Sequence, residues 1–81
     1  MALSQDEVLA GIRDIVVEVA GVDGAAVTME KKFSDDLEVD SLSMVEVIVA
    51  AEEKFSVKIP DDEVTKMATV ADAVNYIVNH S

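Results

Sequence analysis

Ser41 is the residue on which chemistry would turn. It stands in the stretch "DSLSMVEVIVAAEEKF", residues 40–55. A serine hydroxyl becomes a nucleophile when a general base lies within hydrogen-bond reach. The single histidine, His80, is one residue from the end of the sequence. It is expected to close a last helix, where a positive partial charge is favourable. A serine–histidine–aspartate triad is therefore not expected. No lysine stands near Ser41 in sequence, although folding could bring one there. Asp36, Glu38 and Asp40 have the alternating oxygen spacing of a calcium loop. That loop would need glycine at position 41 and glutamate at position 47. The chain has Ser41 and Val47, so the pattern fails and only loose surface binding of divalent cations is expected.

Two roles remain open for Ser41 on local grounds. It could cap a helix, a role worth about 1 kcal/mol. Asp40 could equally take the cap, leaving Ser41 at the first helical position with its hydroxyl outward. A phosphate attached there would meet the helix N–H groups and also the repulsion of Asp36, Glu38 and Asp40. A dipole contribution of about 0.3–1 kcal/mol does not decide between them. A covalent bond would remove the question, because such a phosphate need not bind reversibly.

The helix that starts here, at Asp40 or Ser41, and runs to about Phe55 must position these groups. With Ser41 at zero and about 100° per residue, Val47, Ala51, Met44, Phe55 and Ile48 fall between about 240° and 340°. That arc suits a core. Leu42, Val45 and Val49 form a second apolar group between about 40° and 100°, with Glu52 on one side and Glu46 and Glu53 on the other. An apolar strip rimmed by charge marks a docking surface, unless another helix covers it. Ten of the 17 acidic residues lie between Asp35 and Glu63, opposed there only by Lys54 and Lys58.

The remaining elements follow from periodicity and caps. Residues 4–20 read as an amphipathic helix, with Ser4 and Glu7 as a capping box and Val8, Leu9, Ile12, Ile15, Val16 and Val19 on one face. Gly21 and Gly24 end it. Residues 21–39 form a long connection pinned by Val22, Val27, Met29, Phe33 and Leu37, with room for a helical turn. "FSVKI" (55–59) alternates and reads as extended. Pro60 suits the first position of a short helix at about residues 61–66, whose first turn carries Asp61, Asp62 and Glu63. Thr69 and Asp72 cap a last helix at about 70–79. Valine is abundant, but the periods and caps favour helices over strands. The expected architecture is all-α: a four-helix bundle with a short third helix and a long loop between the first two.

The 81 residues suffice for one small domain, residues 1–81. Apolar residues make up 51%, which argues against disorder. The absence of cysteine removes disulfides and thiolate metal sites. No apolar run approaches the roughly 20 residues needed to cross a bilayer. The opening "MALSQDEVLAGI" lacks a basic start and an apolar signal core, so a cytoplasmic location is expected. A net charge of −11 disfavours nucleic acid and anionic membrane surfaces and favours basic protein partners.

Residues 35–63, "DDLEVDSLSMVEVIVAAEEKFSVKIPDDE", resemble the acyl carrier proteins of dissociated (type II) bacterial fatty-acid synthesis. Asp40-Ser41-Leu42 matches the family's attachment motif. Phe33, Glu46, Glu52, Glu53, Ile59-Pro60, Val70, Ala73, Tyr76 and Ile77 extend the likeness along the chain. The resemblance implies a non-catalytic monomeric carrier. A separate phosphopantetheinyl transferase would attach 4′-phosphopantetheine from coenzyme A to Ser41, and the arm's thiol would carry acyl groups as thioesters. The implied partners are an acyltransferase, a ketosynthase, reductases and a dehydratase with basic docking patches. Leu42, Val45 and Val49 would meet their apolar spots; Asp40, Glu46, Glu52, Glu53, Asp61 and Asp62 would meet their cations. Carriers of polyketide or other specialised pathways are the alternative within the class. An acidic interaction module with Ser41 as a mere cap is the alternative outside it.

Two positions depart from the family pattern. Ser43 stands where relatives often have an acid, which would alter some contacts. Ala51 stands where relatives often have leucine, which would enlarge a chain pocket unless bulkier neighbours compensate. A fatty chain is expected between the helices, lined by Phe33, Met44, Ile48, Ala51, Ile59, Met67, Ala73 and Tyr76. Burial there contributes about 0.8 kcal/mol per CH₂. An ordinary packed core is the competing expectation.

Overall fold

The computed structural model describes residues 3–80; the expected 1–81 domain span thus extends to residues 1, 2 and 81, outside the described residues. Four α-helices and one 3-10 turn follow in order: α1 (Gln5–Ala20), the turn (Gly24–Ala26), α2 (Ser41–Phe55), α3 (Asp61–Val64) and α4 (Val70–His80). The chain is all-α, as its periodicity predicts.

Each boundary has a local cause. Ser4 Oγ accepts the Glu7 N–H at the head of α1. Gly21 ends that helix in the left-handed conformation, φ 72°, where a side chain would be strained. At the head of α4 the capping is reciprocal: Thr69 Oγ1 accepts the Asp72 N–H, and Asp72 Oδ2 accepts the N–H of Thr69 and of Ala68.

Three boundaries differ from the sequence reading. α3 ends at Val64 rather than near residue 66. Pro60 is the residue before the helix, in extended conformation, and its carbonyl accepts the N–H of Glu63 and Val64. Phe55 ends α2, as far as that helix was expected to run, so the extended segment does not begin with it, and Ser56 after it is left-handed (φ 54°). Beyond it the alternation survives as burial: Val57 and Ile59 are buried and Lys58 is exposed.

α1 packs on both α2 and α4. Its Val8, Ile12, Ile15 and Val16 are buried with Val47, Ile48 and Ala51 of α2 and Val70, Ala73, Val74 and Ile77 of α4. Gly11 admits the Phe55 ring so closely that a Cβ there would overlap it. The long connection closes the core with Val27, Phe33, Leu37 and Val39. It is tied by backbone to the segment before α4: Phe33 N–H donates to Ala68, Val70 N–H to Lys31 and Ala71 N–H to Met29. Lys32 and Thr69 thus form an isolated antiparallel bridge.

Candidate functional site

Asp40, not Ser41, caps α2. Its backbone is extended, its Oδ1 accepts the Ser43 N–H at 2.8 Å, and its carbonyl accepts the Met44 N–H at 2.8 Å. The bond from the Ser43 N–H, followed by one from the Ser43 hydroxyl, holds the Asp40 carboxyl below its ordinary range. Hydrogen bonds that favour the charged form have this effect. Ser43, at the position where the resembled family often has an acid, thus takes part in the cap. Ser41 becomes the first helical residue and is exposed.

The histidine that a serine nucleophile would need is engaged elsewhere. His80 lies at the far end of α4. Its Nδ1–H donates to the Tyr76 carbonyl at 2.8 Å and its ring stacks on that of Tyr76, centroids 4.0 Å apart. Among the described residues, no group of three or more acids or histidines is arranged to hold a metal ion. What adjoins Ser41 is a cleft of about 230 Å³, lined by Phe33, Ser34, Val39, Asp40, Ser41, Met44, Met67 and Ala68. The hydroxyl thus stands at the edge of a mostly apolar recess.

Of the residues expected to line a chain pocket, Phe33, Met44 and Met67 line this cleft. Ile48, Ala51, Ile59 and Ala73 do not; they are packed in the core. Tyr76 is half-buried, and its hydroxyl donates to the Lys58 carbonyl at 3.3 Å. Ser34, Val39 and Ala68 complete the lining but lie in connections, where no periodic signal marks them.

The second apolar strip of α2 is open. Leu42 is 72% exposed, Val45 55% and Val49 48%. No helix of the described chain covers it, which removes the alternative of a wide buried arc. Glu46 and Glu53 beside it are exposed, as are Asp40, Asp61 and Asp62. Glu52 is different: it is half-buried, and its Oε2 accepts the Ile59 N–H at 2.9 Å. Ion pairs scarcely offset this acidity. The two among the described residues, Lys32–Asp35 at 3.9 Å and Lys66–Glu63 at 3.8 Å, are long, and Asp35 and Lys66 are largely exposed.

Known proteins resemble this chain along nearly all its length. Residues 10–77 match the phosphopantetheine attachment site family. An acyl carrier protein of Acidothermus cellulolyticus is 63% identical over 79 residues, covering 98% of this chain and 94% of that protein. One from Thermobifida fusca is 56% identical, covering 95% and 98%. A meromycolate extension acyl carrier protein of Mycobacterium leprae is 51% identical, covering 95% of this chain and 67% of its own. The solved acyl carrier protein of Enterococcus faecalis superposes with a TM-score of 0.81 at 33% identity, covering 98% of this chain and all of that one. An exposed hydroxyl at the head of a helix, beside a mostly apolar cleft, fits a tethered phosphopantetheine, and the chain belongs to the acyl carrier protein family.

Proposed function

We propose that Ser41 Oγ is the point at which this carrier of fatty-acid synthesis holds its 4′-phosphopantetheine arm. The observation that carries the reading is the exposed first-turn serine, capped by its neighbour, within the matched attachment family. A separate phosphopantetheinyl transferase supplies the base that takes the proton of the Ser41 hydroxyl. Ser41 Oγ bonds to the phosphorus bearing the pantetheine arm, the phosphoanhydride bond of coenzyme A breaks, and adenosine 3′,5′-bisphosphate leaves. The arm, once bound, provides the thiol that forms acyl thioesters. Asp40 holds the head of α2 so that the hydroxyl faces outward.

Docking is the work of α2 and α3. Leu42, Val45 and Val49 offer apolar contact, and Asp40, Glu46, Glu53, Asp61 and Asp62 meet lysines and arginines on the acyltransferase, ketosynthase, reductases and dehydratase. Opposite fields hasten encounter with such partners. The cleft beside Ser41 shelters the part of a short chain nearest the arm. In this reading the protein is a monomer of one domain, works in the cytoplasm, and binds no nucleic acid. No described helix is long and apolar enough to cross a membrane.

The test is intact mass after incubation with coenzyme A and a promiscuous transferase. Gain of one phosphopantetheinyl group supports the carrier; an unchanged mass favours an acidic interaction module.

A further inference from the structure

We propose that Glu52 is a positioning residue, the latch of the α2–α3 connection, and not one of the charges that meet a partner. The proposal rests on the reading of the acidic rim given above. Glu52 and Glu53 are sequence neighbours of one charge type on opposite edges of one docking strip, yet only Glu53 is exposed. The Glu52 carboxylate turns back to accept the Ile59 N–H at 2.9 Å. Its backbone carbonyl accepts the N–H of Ser56 and, at 3.3 Å, of Val57. One residue thus satisfies the donors of Ser56, Val57 and Ile59. That segment needs such help: Ser56 is left-handed, a conformation few non-glycine residues adopt, and Val57 and Ile59 are buried.

The latch controls more than the loop. Ile59 precedes Pro60, whose carbonyl starts α3 and so places Asp61 and Asp62. The other side of the bundle is fixed differently, by backbone bonds between residues 29–33 and 68–71. Besides the Glu52 bonds, the 56–60 connection has the Tyr76 hydroxyl on the Lys58 carbonyl at 3.3 Å. An anionic acceptor makes the Ile59 bond a charge-assisted one, stronger than a neutral pair. Freeing the Ile59 N–H lets the connection, and with it the acids of α3, move relative to the α2 strip.

Glutamine keeps an acceptor oxygen and loses the charge, so Glu52→Gln separates the two roles. Amide exchange measured by NMR on the full chain reads the latch without any partner. In Glu52→Ala, exchange at Ile59 is expected to rise about tenfold or more, the effect of a lost hydrogen bond to a buried donor. In Glu52→Gln it is expected to rise no more than about threefold, because a neutral acceptor remains. Loading by a phosphopantetheinyl transferase reads the docking. Glu53→Gln is expected to raise the KM for the carrier about threefold or more at low salt, as loss of a rim charge does. Glu52→Gln is expected to leave it within about twofold, while Glu52→Ala raises it through displaced α3 acids. Unchanged Ile59 exchange in Glu52→Ala overturns the latch. A KM for Glu52→Gln as high as that for Glu53→Gln, with Ile59 still protected, overturns the division of labour. Failure of the unsubstituted chain to load would sink the carrier reading alone, because Ile59 exchange still decides the latch.

Discussion

At the residue scale, the proposed function depends on a division of labour between adjacent side chains. Asp40 accepts the Ser43 N–H and caps the helix, which frees Ser41 from capping and leaves it exposed. The depressed titration of Asp40 has a sign that can be followed. Its charged form is favoured in the folded chain, so its contribution to stability is present above the ordinary aspartate value of 3.8 and is lost as pH falls through the lower folded value. Asp40→Ala is therefore expected to lower the melting temperature at neutral pH, and the difference from the unsubstituted chain is expected to shrink below about pH 4. Equal differences at both pH values would show that the cap does not act through its charge. Thr69 serves α4 in a similar way. Thr69→Ala is expected to cost about 1 kcal/mol, a fall of about 4–8 °C for a domain this small, measurable by thermal circular dichroism.

At the element scale, α2 has one buried face and one open strip. Ile12 on α1 and Val47 on α2 are fully buried. Ile12→Ala is expected to cost about 2–5 kcal/mol, whereas Leu42→Ser and Val45→Ser are expected to leave the unfolding free energy within about 0.5 kcal/mol of unchanged. The same strip substitutions are expected to weaken affinity for a fatty-acid synthesis enzyme about tenfold, about 1.4 kcal/mol, read by calorimetry. Unchanged affinity would remove the strip from the docking surface. Much of this was legible in the sequence, because helix period and caps are local signals: Ser4, Gly21, Thr69 and the two faces of α2 all lie where pattern predicts. What was not legible is long-range. The bridge between Lys32 and Thr69 joins segments without periodicity. The turn of the Glu52 carboxylate toward Ile59 depends on the path of a loop. Ile48, Ala51, Ile59 and Ala73, expected to line a chain pocket, are packed in the core, and the cleft beside Ser41 has in its wall Ser34, Val39 and Ala68, which lie in connections without a period.

At the scale of the whole molecule, a net charge of −11 serves association and opposes compactness, since like charges repel within the folded chain. The few exposed, long ion pairs do little to offset it. Raising sodium chloride or adding Mg²⁺ is expected to raise the melting temperature by screening this repulsion, and a flat response would show that the acid cluster carries no strain. The same field is expected to make partner association slow as salt rises. Both effects follow from the charge and its clustering, with ten acids between Asp35 and Glu63. The most direct measurement is site-resolved mass spectrometry of the chain, Ser41→Ala and Ser43→Ala after reaction with coenzyme A and a transferase. The account predicts one phosphopantetheinyl group on Ser41 in the unsubstituted chain and in Ser43→Ala, and none in Ser41→Ala. A group found on Ser34, Ser43 or Ser56, or undiminished loading of Ser41→Ala, would contradict it.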